Sequence, residues 1–140
     1  MSRSCRMLAV GGAVVAALLP AAGAWAHAAP AGTPGPACAI DYTWQQASAT
    51  RYTAAIQIDN TGTTVINGWT LGFVLTDPQR VLTARDARFD TVTGSIVAHN
   101  TWTNAVVGPG GSVTVGYVGA GTATAPPAFT VNGVVCAVGS

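Results

Sequence analysis

Five aspartates supply all the side-chain carboxylates that could take part in acid–base chemistry, since the 140-residue chain has no glutamate. Hydrolysis of a glycosidic bond generally needs two carboxylates, one protonated and one ionised. Asp59 and Asp77 precede turn signals, which is typical of turn-forming carboxylates. Asp86 lies between two arginines, where a solvated charge pair is expected. Asp41 and Asp90 occupy polar positions of strand-like stretches, so we predict that the chain is not an enzyme.

The two histidines offer one other kind of chemistry. Neither His27 nor His99 has a recognisable Ser or Cys elbow nearby, so a nucleophilic triad is not expected. Cleavage after Ala26 would give His27 a free amine beside its imidazole, and with His99 these groups could form a copper site. Because His27 opens a Pro/Gly-rich segment that nothing positions, we expect no metal and no cofactor, and we expect His99 to be a solvated loop residue.

The N-terminal residues have the features of a secretion signal. Arg3 and Arg6 form a basic start, residues 7–19 are almost uninterruptedly apolar, and Ala24-Trp25-Ala26 fits a cleavage site. The apolar run is too short for a membrane span, which needs about 20 residues. We therefore expect a secreted, extracellular protein with a signal peptide over 1–26, a Pro/Gly/Ala-rich leader over 27–37 and one folded domain over 38–138.

The charge left after removal of residues 1–26 is small, four Arg against five Asp with no Lys. Such a chain has no basic stripe for nucleic acid and no polybasic segment for a membrane surface, so neither partner is expected. We expect a monomer. The two remaining cysteines, Cys38 and Cys136, predict one disulfide in an exported protein.

The elements that position these residues are predicted to be β-strands. From Cys38 onward apolar residues recur with period two, and turn signals such as Asn67-Gly68 and Asn132-Gly133 separate the stretches. Without any helix-length pattern, this predicts an all-β fold, an antiparallel sandwich or barrel. Trp44 and Trp69 have the inward parity of their strands and are expected in the core. The alternating sets are Cys38, Ile40, Tyr42 and Trp44; Tyr52, Ala54, Ile56 and Ile58; Trp69, Leu71, Phe73 and Leu75; Val113, Val115 and Tyr117; and Phe129, Val131 and Val135.

Several short motifs follow one another in this region. They are Tyr52-Thr53-Ala54, Asn60-Thr61-Gly62, Ile66-Asn67-Gly68-Trp69-Thr70-Leu71, Asn100-Thr101-Trp102, Pro109-Gly110-Gly111-Ser112-Val113, Gly116-Tyr117 and Phe129-Thr130-Val131-Asn132-Gly133. In this order, between Cys38 and Cys136, they resemble the family 2 carbohydrate-binding modules, bacterial cellulose- or xylan-binding domains. The resemblance implies an antiparallel β-sandwich of jelly-roll or immunoglobulin-like type, closed by a Cys38–Cys136 disulfide, with Trp69 in its core.

The resemblance also implies a binding face, which this sequence carries only in part. Cellulose-binding members present three exposed tryptophans, and the third is present here as Trp102. The first falls near Ala47 or Ser48 and the second near Arg85, where this chain has no aromatic residue. The predicted carbohydrate-binding residues are therefore Trp102, Arg85, Gln45, Thr83 and Thr114.

Two functions of different classes follow from this sequence. The first is a secreted, non-catalytic module that binds a polysaccharide, a cellulose- or xylan-type β-glycan, through Trp102. The alternative is a structural or protein-interaction β-sandwich that has lost the sugar-binding platform. The missing tryptophans near Ala47 and Arg85 keep the alternative open.

Overall fold

The computed structural model describes residues 37–139, and all regular structure in this range is β-strand. The predicted signal peptide, most of the leader and His27 lie outside the described residues. Within the range no helix occurs that could cross a membrane. The strands are β1 (Cys38–Ser48), β2 (Arg51–Asn60), β3 (Ile66–Asn67), β4 (Thr70–Val74), β5 (Arg80–Arg85), β6 (Arg88–Phe89), β7 (Ser95–His99), β8 (Val106–Val107), β9 (Ser112–Ala120), β10 (Phe129–Val131), β11 (Val134–Val135) and β12 (Ala137–Val138).

Two five-stranded sheets make up the domain. The first sheet has the order β12-β1-β2-β9-β5, and the second sheet has the order β11-β10-β4-β7-β6. The strands β3 and β8 form a separate two-stranded ribbon. Every pair is antiparallel except β1 and β12, which run parallel. The predicted all-β, antiparallel sandwich is confirmed.

The core lies between the sheets and is formed by the inward positions of the alternating strands. Trp69, 1 % exposed, lies in it as predicted, and its indole Nε1–H donates to the carbonyl oxygen of Asn104 at 2.9 Å. Cys38 and Cys136 form the expected disulfide and join residues 98 positions apart in the chain. Closing so long a loop restricts the unfolded chain and stabilises the domain by about 4.7 kcal/mol in the chain-entropy model.

The hydroxyl groups of all three tyrosines of the chain meet at this core, in which Tyr52 and Tyr117 are buried and against which the half-buried Tyr42 packs. The hydroxyl of Tyr117 lies 3.0 Å from that of Tyr42 and 3.4 Å from that of Tyr52. Burial raises the pKa of Tyr42 to about 12 and also raises the pKa values of Tyr52 and Tyr117. The three hydroxyls therefore remain protonated and share hydrogen bonds, as buried polar groups require.

Two residues predicted to face the core do not lie there. Trp44 has inward parity, since it pairs with the buried Ala54, but 47 % of it is exposed. The reason is that β12 pairs with β1 only at its first residues, so Trp44 lies on an open sheet edge. Val135, 62 % exposed, follows the Asn132-Gly133 turn and pairs with Thr130, so the reversal of the chain turns it outward.

Candidate functional site

The solvent side of the first sheet, here called the outer face, is built from residues that pair across β1, β2, β9 and β5. Because paired residues point to the same side of a sheet, each set of partners forms one row across this face. One row contains Gln45, Thr53, Val118 and Thr83; the next contains Thr43, Ala55, Gly116 and Arg85; and a third contains Asp41, Gln57 and Thr114. The face therefore brings together four of the five predicted binding residues, which the chain separates by up to 69 positions.

A β-bulge in β5 places Arg85 on this face. Val81 pairs with Gly119 and Thr83 pairs with the neighbouring Val118. Leu82 is therefore an extra residue in β5 that has no partner of its own in β9. Strict alternation from the buried Val81 would turn Thr83 and Arg85 toward the core. The inserted residue reverses that parity, so both side chains point to solvent.

The Arg85 side chain lies flat against the sheet. A Cβ atom added to its partner Gly116 would lie 3.6 Å from both Nε and Nη2 of the guanidinium, so the missing side chain leaves the space that Arg85 covers. Arg85 has no carboxylate within salt-bridge distance in the described part of the chain, where the only ion pairs join Asp90 to Arg88 and His99. The predicted pairing of Asp86 with an arginine is therefore absent from residues 37–139, and Arg88 pairs with Asp90 instead, at 3.6 Å.

Trp102 is the most exposed large hydrophobic residue in residues 37–139, at 92 %, and its turn is held rigidly. Asn104 Oδ1 accepts hydrogen bonds from the Thr101 backbone N–H at 2.8 Å and from the Thr101 hydroxyl at 3.0 Å. The carbonyl oxygen of Asn104 accepts the indole N–H of the buried Trp69 at 2.9 Å. The exposed indole is thus carried by a turn that the core tryptophan fixes from below.

The same turn is joined to the residue that follows Arg85. Asn104 Nδ2 donates to the backbone carbonyl of Asp86 at 2.7 Å. Asp86 itself has a positive φ of 63°, the sharp bend that ends β5. This hydrogen bond holds the Trp102 turn at the end of β5, beside Arg85. The Trp102 turn lies between β7 and β8, so the two segments are distant in the chain.

The first tryptophan position that the family resemblance implies, near Ala47 or Ser48 in the β1–β2 hairpin, carries no aromatic residue. A second register shift lies between Gln46 and Ser48, so Ala47 is an extra residue in β1. Gln46 closes this end of the sandwich, since its side-chain amide donates to the carbonyl oxygens of Ser48, Arg51 and Gly121. The hairpin is well ordered by these contacts and presents only small side chains.

His99 differs from the predicted loop histidine. It is the last residue of β7, its Nδ1 lies 3.1 Å from the hydroxyl of Thr70, and its Nε2 lies 2.7 Å from Asp90 Oδ2. Pairing with β4 draws this residue into the second sheet, which the polar sequence around it did not indicate. Among residues 37–139 no group of three or more His, Cys, Asp and Glu side chains is placed to hold a metal ion.

Sequence reasoning overlooked two arginines on the outer face. Arg51 and Arg80 both pair with Ala120, one row beyond Thr53 and Thr83. Both are exposed. Arg51 could have been found, since it stands two positions before Thr53 in an alternating strand. The position of Arg80, across β9 from Arg51, depends on the pairing of β5 with β9, which no local pattern reveals.

The fold and the site together define the class: a small β-sandwich, closed by a terminal disulfide, that presents an exposed tryptophan beside a polar sheet face is a carbohydrate-binding module. Residues 38–136 match the family described as the cellulose binding domain, and the chain belongs to that family, as the order of its motifs predicted.

Relatives and solved structures agree with this assignment. The chain is 38 % identical over 104 residues to exoglucanase A of Cellulomonas fimi, covering 73 % of this chain and 12 % of that protein. A chitin-binding domain of Chi18aC from Streptomyces coelicolor is similar with a TM-score of 0.61 and 26 % identity, over 71 % of this chain and 94 % of that one. The cellulose-binding family 2 domain of ScLPMO10C shares the fold with a TM-score of 0.54 and 21 % identity, over 74 % and 98 % of the two chains. The chain spans about a tenth of the length of the first curated relatives it matches.

Proposed function

We propose that the domain is a non-catalytic module that binds an insoluble β-linked polysaccharide through Trp102 and the adjoining outer face. The exposure of Trp102 on a rigid turn carries this proposal. An exposed aromatic ring on a turn whose backbone is held by hydrogen bonds can stack on the apolar face of a sugar ring at a smaller ordering cost than a ring on an unrestrained loop. The description of the family supports cellulose as the ligand, and the name of the Streptomyces coelicolor structure adds chitin as a second candidate.

A non-catalytic role agrees with the positions of the carboxylates. The five aspartates all lie within the described residues. Asp41 and Asp59 lie in the first sheet, whereas the other three, Asp77, Asp86 and Asp90, lie in three different loops. Asp59 accepts a hydrogen bond from Gln57, and Asp90 is engaged by Arg88 and His99. Both carboxylates are therefore engaged by neighbouring side chains of their own sheet regions rather than paired with a second carboxylate in the contacts described.

The expected affinity is low if Trp102 acts alone. Stacking on one face of the indole would remove about 100 Å² of apolar area from water, or about 2.5 kcal/mol. Association costs at least about 4 kcal/mol in lost translation and rotation. Contacts from Arg85 and the threonines of the outer face must therefore contribute, and we propose Gln45, Thr83 and Thr114 as the further polar partners.

The test is retention of the protein, produced without residues 1–26, on crystalline cellulose, insoluble xylan and chitin. Trp102→Ala should reduce retention to background while leaving the urea midpoint unchanged. Val135→Ala is the matched control, because it removes an exposed apolar side chain of the second sheet, away from the outer face. Retention that survives Trp102→Ala would refute the platform, and absence of retention on all three glycans would favour the structural or protein-interaction alternative.

We propose further that residues 1–26 direct secretion, that residues 27–37 form a leader, and that the domain acts outside the cell as a monomer. The disulfide is consistent with an oxidising compartment. Mass spectrometry of the protein recovered from culture medium tests the cleavage site, since removal of the signal predicts His27 as the first residue.

A further inference from the structure

Three of the four arginines in the described residues lie on the outer face of the first sheet. Arg51 and Arg80 flank Ala120, and Arg85 lies beside Gly116, four residues earlier on the same strand. We propose that this arginine cluster (Arg51, Arg80 and Arg85) binds carboxylate groups, and that the preferred ligand is a β-glycan that carries uronic acids. The inference rests on the proposed polysaccharide-binding function and names its substrate class.

The spacing of the cluster suits an extended polymer. Strands rise about 3.3 Å per residue and lie about 4.8 Å apart, so Arg85 is about 13 Å from the row of Arg51 and Arg80, which are about 10 Å from each other. Thr53 and Thr83 lie in the row between them and supply hydroxyl groups. The Trp102 turn, held to Asp86, continues the line beyond Arg85. A linear chain could thus contact charged, hydroxyl and aromatic groups in succession.

The charges of the cluster are not neutralised by the protein. None of its three guanidinium groups takes part in a salt bridge with any residue from 37 to 139, whereas the fourth arginine, Arg88, pairs with Asp90. Asp41 and Asp59 share the outer face but lie in the rows of Gln57 and Ser112, farther along the strands. The face is therefore divided into a positive part and a negative part, and the positive part adjoins the hairpin and β5.

Arginine also explains why a charged ligand is favoured over a neutral one. A guanidinium group is planar, so it can stack on a sugar ring, and its paired N–H groups match the two oxygens of a carboxylate. At the Arg85 position, where the family resemblance implies a tryptophan, arginine would keep the ability to stack on a sugar ring and would add recognition of charge. With only three cations on the face, and five Asp against four Arg in residues 27–140, the face does not match the phosphate density of a nucleic acid.

The experiment compares retention on cellulose fibres with retention on the same fibres after oxidation of surface C6 hydroxyls to carboxylates. We expect tighter binding to the oxidised fibres, by about threefold to fivefold for each arginine engaged, and loss of that preference as NaCl is raised. Arg85→Gln should weaken retention on both fibres, because Arg85 also contributes to binding of neutral glycan, but it should lower the ratio of retention on oxidised to plain fibres by about threefold to fivefold. Arg88→Gln is the matched control, because it makes the same change in net charge on the second sheet. Unfolding in urea establishes that each variant is folded.

Each outcome bears on the inference. Equal retention of the wild-type protein on the two fibres would overturn it, while Trp102-dependent retention on plain cellulose would leave the proposed function standing. A preference reduced equally by Arg85→Gln and Arg88→Gln would show general charge attraction and would also overturn it. If the protein bound DNA immobilised on cellulose as tightly as it binds the oxidised fibres, any polyanion would serve as a ligand, and the assignment to carboxylates would be refuted. Retention on oxidised fibres that needs Arg85 but not Trp102 would support the inference and refute the Trp102 platform.

Discussion

The cluster of Tyr42, Tyr52 and Tyr117 makes the free energy of unfolding of this domain fall at alkaline pH. In the unfolded chain a tyrosine ionises with a pKa of 10.0, while burial raises the folded-state pKa of Tyr42 to about 12 and that of Tyr117 above its usual value. A raised pKa stabilises the folded state below pH 10, and this stabilisation is lost as the pH rises toward the folded value. At pH 11 such a tyrosine is ionised in the unfolded chain but protonated in the folded protein. Each one therefore lowers the free energy of unfolding by about 1.4 kcal/mol relative to its value at neutral pH. Tyr42 and Tyr117 together account for about 3 kcal/mol, a large part of the 5–15 kcal/mol typical of a domain.

Tyr117→Phe separates the two effects of the cluster. At pH 7 the variant should lose about 1–3 kcal/mol, because the fully buried Tyr52 hydroxyl keeps no hydrogen-bond partner within the described residues. Between pH 9 and pH 11 the variant should lose about 1.4 kcal/mol less than the wild-type protein, since one titrating group has been removed.

The assay is urea unfolding at a series of pH values, followed by tryptophan fluorescence, with a thiol-blocking reagent present. The absorbance of tyrosinate provides a second, independent measurement, because these are the only three tyrosines of the chain. Tyrosinate should appear only as the protein unfolds. Tyrosinate absorbance in the folded protein near pH 10, with an unchanged free energy of unfolding, would refute the role of burial.

Other predictions test the core and the turn that carries the exposed tryptophan. Trp69→Ala should cost about 3–5 kcal/mol, measured as the urea midpoint, and a variant of unchanged stability would contradict the packing described. Gly119→Ala should destabilise the domain strongly, because the added Cβ would overlap the buried ring of Tyr52; a normal melting temperature would show that the ring can move aside. Asn104→Ala should weaken glycan retention more than stability, since it removes the hydrogen bond to Asp86 that places the turn; binding equal to wild type would mean that this placement is not needed.

Much of the fold could be predicted because its signals are local. Period-two alternation identified the main strands, and Gly- and Asn-containing turns marked their ends. An even number of cysteines in an exported chain indicated the Cys38–Cys136 disulfide, and the parity of Trp69 with its neighbours indicated the core. These inferences need only a few consecutive residues, or a count, to be correct.

The candidate site depended on longer-range information. Local sequence was enough to predict which residues alternate within a strand, and that one exposed tryptophan, Trp102, follows a polar segment. Three features emerged only from the folded chain: the extra residue Leu82 turns Arg85 outward, Arg51 and Arg80 flank Ala120 in one row, and Trp44 lies on an open sheet edge. The physical reason is that alternation fixes relative orientation along one strand, whereas register, bulges and the extent of the neighbouring strand are set by pairing with residues distant in the chain.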